Sequence, residues 1–592
     1  MERSYEKYTP VEVITTLGAE VKEFWFPSVM TPVSMILEVV MEMIIPFLMA
    51  SIIDKGVTPG NMAHIRHTGI IMIIVAVMGL LFGVMGAHFG AKASAGLARN
   101  LRNTMFEKIQ AFSFPNLDKY STAGLVTRLT TDVTNIQNAY QMILRMFMRA
   151  PSSIVIAMVM AFSINARLSM IYLVAVIFLA IFIFFLMGRV TDYFAEVFLR
   201  YDDLNESVQE NVSGIRVVKA FVREEHEKSK FFEAAGNIYR MFVRAEKMII
   251  LNMPVMQFTV YTCILLLSWF GAHFIVYGDL TTGELMSLLT YCMNILMSLM
   301  MLSMIFVMVS MSAASARRIT EVIKETPVIR EPENPVYEVK DGSVTFENVS
   351  FSYYGKEKDY ILSDVNLSIG DGETIGIIGG TGSSKTSLIN LISRLYDVTE
   401  GSVKVGGVDV RSYDIKTLRK SVAHVLQKNE LFSGTILENL RWGNELATEE
   451  ECAEACRIAC AAEFIEKFHD GYETHIEQGG TNLSGGQKQR LCIARAILGK
   501  PKILILDDST SAVDTATDAT IRQGFRESLP GMTKFIIAQR ISSVMDADRI
   551  VVLDEGRISG VGTHEELMEN NEIYRDVYES QQSGAGLSDF DD

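Results

Sequence analysis

The sequence predicts a multidomain protein: an all-α transmembrane domain of six helices with long cytoplasmic helical extensions, followed by an α/β domain. One observation is the uneven distribution of apolar residues. The chain is 49% hydrophobic with a mean hydropathy of +0.22, and its long apolar runs all lie before residue 311. The other is a glycine-rich loop in the second half, placed between a predicted strand and a predicted helix, as in α/β domains built around a phosphate-binding loop.

Composition excludes several classes of protein. A disordered chain has low hydrophobicity and high charge, whereas charged residues make up 21% of this one. The net charge of −16 argues against a nucleic-acid partner. The six cysteines form no C-x-x-C pair, so neither a zinc site nor a dithiol redox motif is predicted. Cys452, Cys456 and Cys460 are spaced four apart, which predicts one buried face of a helix.

Six stretches are long and apolar enough to cross a membrane, which takes about 20 residues. They lie at about 28–53, 69–91, 141–163, 168–188, 248–277 and 285–310. The third and fourth are joined only by Asn165-Ala166-Arg167 and are predicted to form a hairpin. The polar stretches 92–140 and 189–247 have helical periodicity, so we expect helices that continue out of the bilayer and return.

The distribution of lysine and arginine predicts which side these extensions occupy. Residues 189–247 carry ten of them, whereas the loop at 278–284 carries none. Because cytoplasmic loops are enriched in Lys and Arg, the extensions are predicted to be cytoplasmic. Six spans return the chain to the cytoplasm, where the α/β domain is then expected. The protein is therefore predicted to be a multi-pass integral membrane protein in contact with lipid, in a bacterial plasma membrane.

Two carboxylates lie inside the first predicted span. Glu38 and Glu42 are four residues apart and so share a helix face. A charge at this depth is costly and normally faces a cavity or a partner. One interpretation is a substrate cavity that prefers cations. The other is an ion pair with a basic residue of another helix, such as Arg145 or Arg149.

A phosphate-binding loop is predicted at 379–387, between a predicted strand at Glu373–Ile378 and a predicted helix at Leu388–Leu395. It fits the pattern G-x-x-x-x-G-K-[ST], except that a serine replaces the second glycine. Backbone N–H groups of such a loop bind phosphate at a helix N-terminus, the lysine reaches the β- and γ-phosphates, and the threonine hydroxyl binds magnesium. The predicted nucleotide-binding residues of the loop are Gly379, Gly380, Thr381, Gly382, Ser383, Ser384, Lys385, Thr386 and Ser387.

Two further motifs extend this site. An apolar strand at 503–508 ends in Asp507, predicted to hold magnesium, and Asp508, at the position of a general base for water. Before it, the residues LSGGQ at 483–487 open a helix, and Ser484, Gly485, Gly486 and Gln487 are predicted to bind phosphate. One ATP does not need two such elements from one subunit. The second is therefore predicted to cap an ATP bound to another subunit.

With these motifs, the sequence resembles ABC transporters of the exporter type, specifically a half-transporter with six spans fused to one α/β P-loop ATP-binding cassette domain. The resemblance covers nearly the whole chain, and LSGGQ is its most specific element. It implies that Tyr353 stacks on adenine and that Gln427 joins Thr386 and Asp507 around Mg²⁺. It also implies a D-loop at Ser511–Asp514 and coupling helices near 113–125 and 211–223.

The sequence departs from the family pattern at the chemistry of ATP hydrolysis. Asp508 stands where the family has a glutamate, Gln539 where it has the switch histidine, and Gln478-Gly479 where it has Glu-Arg. The aspartate is one methylene shorter, and a misplacement of about 1 Å can cost ~10²-fold in rate. A glutamine cannot donate as a cation. Both changes predict a site that binds ATP but hydrolyses it poorly, although Asp508 could also work with a shifted water.

The signature motif, by contrast, is intact. We therefore expect a heterodimer with a second half-transporter, whose competent ATP site this LSGGQ completes; a homodimer would hold two slow sites. The predicted activity is ATP-driven export of a hydrophobic or amphipathic solute, whether drug, lipid or peptide. The alternatives are a nucleotide-gated channel or regulatory subunit, and import, which the fused domain order disfavours. The methionine-rich sixth span suits either a pliable ligand surface or ordinary packing.

The domain boundaries follow from these assignments. The transmembrane domain is expected over 1–326, a proline-rich linker over 327–340, the nucleotide-binding domain over 341–582 and an acidic tail over 583–592.

Overall fold

The computed structural model describes residues 8–353, 359–380, 382–508 and 512–585, and the chain forms two compact units. The first unit runs to Ala111 and resumes over Tyr120–Thr326. The second consists of Phe112–Lys119 and the chain from Pro327 onwards. The chain thus leaves the first unit at Ala111, contributes a short segment to the second, and returns.

The described residues of the first unit form helices and the turns between them. Its helices are α1 (Pro10–Ala19), α2 (Trp25–Ile52), α3 (Met62–Ala111), α5 (Thr122–Thr127), α6 (Val133–Met142), α7 (Met148–Ile164), α8 (Ala166–Ser213), α9 (Ile215–Ala220), α10 (Glu224–Ile250), α11 (Asn252–Tyr277) and α12 (Thr282–Lys324); α4 (Phe114–Leu117) belongs to the second unit. Short π-helical segments occur at Ile53–Val57, Arg128–Asp132 and Ile143–Phe147.

Six candidate membrane spans lie among the described residues. They are Lys22–Val57, Met62–Ala111, Thr122–Ile164, Ala166–Val190, Glu224–Tyr277 and Thr282–Phe306. Helix α3 has 50 residues and is therefore about 75 Å long, more than twice the ~30 Å hydrocarbon thickness. The predicted six-helix transmembrane domain with long helical extensions is thus confirmed.

The third and fourth spans form a hairpin around Asn165. Helix α7 ends at Ile164, and α8 begins at Ala166. The Asn165 side-chain oxygen accepts hydrogen bonds from the backbone N–H groups of Arg167 and Leu168, both at 3.1 Å. An asparagine in this position caps the helix start, so a single residue turns the chain.

Helix α3 packs closely against α2 through a stripe of glycines. The stripe is Gly79, Gly83, Gly86 and Gly90, spaced three or four apart. A Cβ at Gly83 would stand 3.3 Å from the Glu38 carboxyl group, and one at Gly90 would stand 3.1 Å from Cδ of Arg145. Small residues let membrane helices approach one another. Here the glycines also leave space for two charged side chains between the helices.

Helix α2 is joined to α12 near Pro46. A proline inside a helix lacks an N–H group and disturbs the hydrogen bonds of the preceding turn. Tyr291 of α12 donates to the Met43 carbonyl at 2.8 Å, and Ser287 donates to the Pro46 carbonyl at 2.6 Å. Lipid cannot satisfy backbone groups, so these side chains stabilise the disturbed turn and hold the two helices together.

The second unit is an α/β domain. Its strands are β1 (Val344–Phe351), β2 (Leu362–Ile369), β3 (Thr374–Gly379), β4 (Glu400–Val405), β5 (Val408–Asp409), β6 (Val422–Val425), β7 (Gly434–Thr435), β8 (His475–Ile476), β9 (Ile503–Asp507), β10 (Thr533–Ile537), β11 (Arg549–Asp554) and β12 (Arg557–Gly562). Its further helices are α13 (Lys385–Ile392), α14 (Ile415–Ser421), α15 (Ile436–Leu440), α16 (Glu449–Ile458), α17 (Ala462–Ile465), α18 (Gly485–Leu498), α19 (Thr515–Ser528), α20 (His564–Asn570) and α21 (Glu572–Ala585).

The main sheet of this unit brings the predicted nucleotide motifs together. Its strand order is β12-β11-β3-β10-β9-β6, and β11, β3, β10, β9 and β6 run parallel. Ile503 and Ile505 of β9 enter one hydrophobic core and Leu504 and Leu506 the other, so both faces are buried. Because parallel strands end at one edge, the loop after β3 lies beside Asp507.

The Phe112–Lys119 segment packs within the second unit. The Tyr396 hydroxyl donates to the Asp118 carboxylate at 2.6 Å, and the Phe114 ring lies edge-on to Tyr396. The Asn116 side-chain oxygen accepts a hydrogen bond from the Val328 N–H at 2.9 Å. These contacts explain why a segment between two membrane helices belongs to the α/β unit.

Candidate nucleotide site

The phosphate-binding loop joins β3 to α13 and is open on one side. A Cβ at Gly379 would collide with the Leu553 carbonyl oxygen, so this glycine is needed for packing. At Gly380 and Gly382, by contrast, no described atom lies within 4 Å of where a Cβ would stand. Gly382 also has φ +87°, which favours glycine. The open side is where backbone N–H groups can meet phosphate oxygens.

Helix α13 begins at Lys385 and ends at Ile392, so the predicted helix at Leu388–Leu395 was wrong by three residues. The early start places Lys385 and Thr386 in the first turn, where helix N–H groups are free to bind an anion. Ser384 is the N-cap and adopts the left-handed conformation, with φ 68° and ψ 26°. That conformation costs a non-glycine residue about 1–2 kcal/mol.

The Lys385 ammonium group spans the loop. Its Nζ donates to the carbonyl oxygens of Gly379 at 2.8 Å and Gly380 at 2.9 Å, and it lies 3.3 Å from Ser383 Oγ. Burial lowers the pKa of Lys385, while the charges of Asp507 and Asp508 act in the opposite direction. The positive charge is therefore held over the site by carbonyl dipoles.

Thr386 and Asp507 supply a pair of oxygen ligands. The Thr386 hydroxyl donates to the Asp507 carboxylate, at 2.9 Å from Oδ2 and 3.2 Å from Oδ1. Burial raises the pKa of Asp507, and this hydrogen bond opposes the rise. A hydroxyl and a carboxylate beside an open phosphate loop are the hard oxygen donors that Mg²⁺ binds together with nucleotide phosphates. These residues therefore fit Mg²⁺.

Asp508 and Gln539 are in direct contact. Gln539 Nε2 donates to Asp508 Oδ2 at 2.9 Å, and Asp508 has φ +47°. Burial raises the pKa of Asp508, while hydrogen bonds from Gln427 and Gln539 oppose the rise. The two residues that depart from the family pattern are thus hydrogen-bonded to each other. The Gln539 amide donates to one oxygen of the carboxylate at the position of the general base.

The LSGGQ motif forms the start of helix α18. Ser484 Oγ accepts from the Gln487 N–H at 3.3 Å, and Gln487 Oε1 accepts from the Ser484 N–H at 2.9 Å, which makes a capping box. A Cβ at Gly486 would stand 2.9 Å from the Ala512 carbonyl oxygen. Glycine is therefore required where the signature helix meets the residues that follow Asp508.

Tyr353 stands beside the phosphate-loop helix. Its hydroxyl lies 3.1 Å from Ser387 Oγ, and its ring packs edge-on against Tyr396 at 5.0 Å between centroids. The ring remains partly exposed, as a stacking surface for a base requires. Thr381 and the D-loop residue Ser511 lie outside the described residues.

Sequence reasoning missed one residue that holds the switch region. Gln581 of α21 accepts a hydrogen bond from the Ile541 N–H and donates one to the Gln539 carbonyl, at 2.9 and 2.8 Å. A single side-chain amide thus clamps the backbone on both sides of Arg540. No pattern in the sequence signals a contact between α21 and this loop.

A separate polar group lies in the first unit. Arg149 Nη1 donates to Glu38 Oε1 at 2.5 Å, and Nη2 donates to Glu42 Oε2 at 2.6 Å. Arg149 is therefore the ion-pair partner of both carboxylates. Glu42 and Arg149 also line a cavity of about 670 Å³, whereas Glu38 does not.

The folds of the two units and the nucleotide motifs together define a membrane protein with a P-loop nucleotide-binding domain. Residues 29–300 match the family model described as the ABC transporter transmembrane region, and residues 362–511 match the model described as ABC transporter.

Several relatives match almost the whole chain. An uncharacterized ABC transporter ATP-binding protein of Bacillus subtilis, YfiB, is 36% identical over 92% of this chain and 95% of its own length. An uncharacterized ABC transporter ATP-binding protein of Mycobacterium tuberculosis, Rv1273c, is 36% identical over 91% and 93%. The Bacillus subtilis protein YheI, a probable multidrug resistance ABC transporter ATP-binding/permease protein, is 31% identical over 96% and 98%.

The chain belongs to the ABC transporter family and has the organisation of an exporter-type half-transporter. It is a multi-pass integral membrane protein, and its bacterial relatives indicate the plasma membrane. The ATP-binding domain implies ATPase-coupled transport, with ATP normally bound together with Mg²⁺. The half-transporter organisation implies dimerisation with another ABC subunit and a transported solute.

Proposed function

We propose that this chain is one subunit of a heterodimeric exporter that moves hydrophobic or amphipathic solutes out of the cytoplasm. Its own site binds ATP and hydrolyses it slowly, while its LSGGQ motif completes a competent site on the partner. The contact that carries the proposal is the 2.9 Å hydrogen bond from Gln539 to Asp508. It engages one carboxylate oxygen at this chain's base position, whereas Ser484 and Gln487 form a complete capping box at the signature start.

The residues of this chain divide the work between two sites. Lys385 and the loop N–H groups bind phosphates of this chain's ATP, and Tyr353 stacks on its base. Thr386 and Asp507 hold Mg²⁺, with Gln427 alongside; when bound, the ion neutralises developing phosphate charge. Asp508 is too short and too occupied to position water well.

At the partner's site, Ser484, Gly485 and Gly486 present a capped helix N-terminus to the γ-phosphate, and Gln487 holds that cap closed. A helix start binds anions through its free N–H groups. The relative described as a probable multidrug resistance transporter supports export of varied apolar solutes. Closing of the two nucleotide domains on ATP then drives the change in the membrane helices.

The first test compares this chain alone with this chain bound to a second half-transporter that has the usual glutamate and histidine. We expect little ATPase activity alone at saturating Mg-ATP and brisk activity from the pair. Fast turnover by the purified homodimer would refute the division of labour and favour a homodimeric exporter.

The second test assigns the sites. In the heterodimer, Ser484→Arg or Gly486→Asp is expected to reduce hydrolysis far more than Asp508→Asn, because bulk or negative charge enters the γ-phosphate position of the competent site. The reverse order of effects would mean that hydrolysis occurs at this chain's own site. Transport into inside-out vesicles containing the pair tests the direction and separates a pump from a channel.

A further inference from the structure

The ion-pair group of the first unit leaves one arginine of the third span without a counter-charge. Arg149 takes both carboxylates, with Nη1 on Glu38 and Nη2 on Glu42. Arg145 lies one helical turn earlier and makes no ion pair or side-chain hydrogen bond with the described residues. Its Nε atom is nevertheless buried. A buried, unpaired polar group is costly and often marks a functional position.

Two further polar atoms are unpaired at the same helix interface. Oε2 of Glu38 and the hydroxyl of Ser34 are buried and have no hydrogen-bond partner among the described residues. Cβ atoms added to successive glycines of the stripe on α3 would meet first Glu38, then Ser34 and then Arg145. The end glycines of this row, Gly83 and Gly90, are about 10 Å apart along the helix. An unpaired acceptor and an unpaired donor thus lie at opposite ends of one row, with an unpaired hydroxyl between them.

The spacing of the charges matches on the two helices. Glu38 and Glu42 are four residues apart on α2, and Arg145 and Arg149 are four apart in the third span. The first and third spans cross the membrane in the same direction. A shift of one helical turn, about 5.4 Å, would therefore bring Arg145 to the Glu38 carboxylate. Arg149 would stay opposite Glu42, so all four charges would be paired and no ion from outside would be needed.

The third span has a place at which such a shift can occur. Arg145 lies in the π-helical segment Ile143–Phe147, directly before α7. A π-helical hydrogen bond spans one residue more than an α-helical one, so closing this turn changes the register of the residues beside it. Pro151 has no N–H group to bond to the carbonyl four residues earlier, which leaves the helix less tied here. One-turn shifts of one element past another are an established form of two-state change.

The outer ends of the first and sixth spans indicate which of the two positions the structure shows. Asp54 accepts hydrogen bonds from the Thr281 hydroxyl at 2.6 Å and from the Gly283 N–H at 2.9 Å. A Cβ at Gly283 would collide with the Ala50 carbonyl oxygen, so the two ends are in close contact. The pairing of both glutamates with Arg149 therefore accompanies joined outer ends. The alternative pairing belongs to a state in which these ends part.

We propose that the first and third spans form a two-position ion-pair switch. Arg149 holds both glutamates while the outer ends are joined, and Glu38 passes to Arg145 when ATP drives the other state. Glu42 stays with Arg149 throughout, so the exchange leaves no buried carboxylate unpaired. The switch uses the ATP-driven cycle of the family and is independent of the solute carried and of the partner subunit.

The test measures the apparent affinity for Mg-ATPγS, a slowly hydrolysed ATP analogue, on the protein in nanodiscs in the assembly in which it purifies. An ion pair that forms only in the ATP-driven state increases this affinity by linkage. Arg145→Met removes the pair, so we expect the affinity to fall about tenfold. The unfolding temperature without nucleotide should not fall, because Arg145 has no polar partner while the outer ends are joined. Either an unchanged affinity or a loss of stability without nucleotide would overturn the proposal.

A double-mutant cycle identifies the group that receives Arg145. In a Glu38→Gln background, Arg145→Met should have no further effect on the affinity, because the arginine then has no carboxylate to meet. In a Glu42→Gln background the tenfold fall should persist, because the shift still brings Arg145 to Glu38. An equal effect of Arg145→Met in both backgrounds would overturn the exchange.

Arg167→Met is the matched control, since this arginine is exposed at the hairpin between α7 and α8. Its nucleotide affinity and unfolding temperature should equal those of the unmodified protein. If Arg145→Met does not fold, Arg145→Gln removes the same charge, keeps a polar side chain and decides the outcome. No transport is measured, so failure of the proposed export would leave these results in place, whereas failure of the cycle would overturn the switch alone.

Discussion

At Ser384 the backbone conformation and the side chain are in conflict. The residue has φ 68°, in the left-handed region, and stands where the phosphate-loop pattern has glycine. Ser384→Gly removes the conformational cost of the left-handed residue in the folded state, about 1–2 kcal/mol. The greater freedom of glycine in the unfolded chain offsets about 0.5–1 kcal/mol of that gain in stability. We expect the nucleotide domain to gain about 0.5–1 kcal/mol, measured by thermal unfolding of the reconstituted protein.

The neighbouring Ser383 gives the matched control, because its φ is not positive and its hydroxyl lies 3.3 Å from Lys385 Nζ. Ser383→Gly should therefore destabilise the domain. If both substitutions moved stability in the same direction, relief of backbone strain would not explain the gain.

Asp508 and Gln539 are expected to limit hydrolysis at this chain's own site jointly. Asp508→Glu restores reach towards water, but the Gln539 amide would still occupy the longer carboxylate. Gln539→His removes that amide and supplies a group that can orient water. The double change is expected to raise single-turnover hydrolysis at least about tenfold, and each single change should gain less, since the two groups act as a unit.

The measurement uses a heterodimer in which the partner's catalytic glutamate is changed to glutamine, so that only this chain's site can react. Nucleotide affinity is measured in parallel and should not change. An unchanged rate in the double variant would mean that another feature, such as Ser384, is limiting.

At the scale of elements, helix α21 fixes the switch loop through Gln581. Its amide makes two hydrogen bonds to the backbone of Gln539 and Ile541. Gln581→Ala removes both, and the loss of about 1 kcal/mol of local stability should speed hydrogen exchange at the Ile541 amide about fivefold. Hydrogen exchange with mass spectrometry of the peptide containing this amide measures the effect.

Gln582→Ala is the control on the same helix, because its amide bonds only to the Tyr578 hydroxyl among the described residues. Exchange in the switch loop should stay unchanged in this variant. Equal acceleration by both substitutions would indicate general loosening of α21 and not a specific clamp.

The glycine stripe of α3 gives a second prediction about an element. Gly83→Ala would place a methyl group 3.3 Å from the Glu38 carboxyl, and Gly90→Ala would place one 3.1 Å from Arg145 Cδ. Overpacking of this kind typically costs about 1–3 kcal/mol. We expect both variants to lower the unfolding temperature of the protein in nanodiscs.

Gly69→Ala lies on the same helix, and no described atom is within 4 Å of its added methyl group. Alanine favours a helix over glycine by about 0.5–1 kcal/mol, so this variant should be neutral or slightly stabilising. A loss in Gly69→Ala equal to that in Gly83→Ala would rule out close packing against α2 as the cause.

At the scale of the whole molecule, the sequence predicted the fold class because long apolar runs and nucleotide motifs are local patterns. Element ends were less predictable. Helix α13 begins earlier than expected, because the loop turns at left-handed Ser384 and not after it. Cys452 and Cys456 are buried in α16, whereas Cys460 lies beyond the end of that helix with φ 53°.

Contacts between distant segments carried no local signal. The choice of Arg149 over Arg145 as the partner of the two glutamates depends on how three helices pack. The Gln581 clamp depends on how the last helix returns to the sheet. The methionine pattern of α12 suits both a cavity wall and ordinary packing, and only tertiary structure places it around a cavity.

The packing of Phe112–Lys119 in the second unit has a consequence for biogenesis. Asp118 and its partner Tyr396 are 278 positions apart in the chain. At synthesis rates of about 5–20 residues per second, the ribosome needs roughly 15 to 55 s to make the partner. During that time four further membrane spans are synthesised, and Phe114 and Asp118 cannot yet contact Tyr396. The loop between the second and third spans therefore finishes folding after the spans that follow it, and the protein cannot mature in the order in which it is translated.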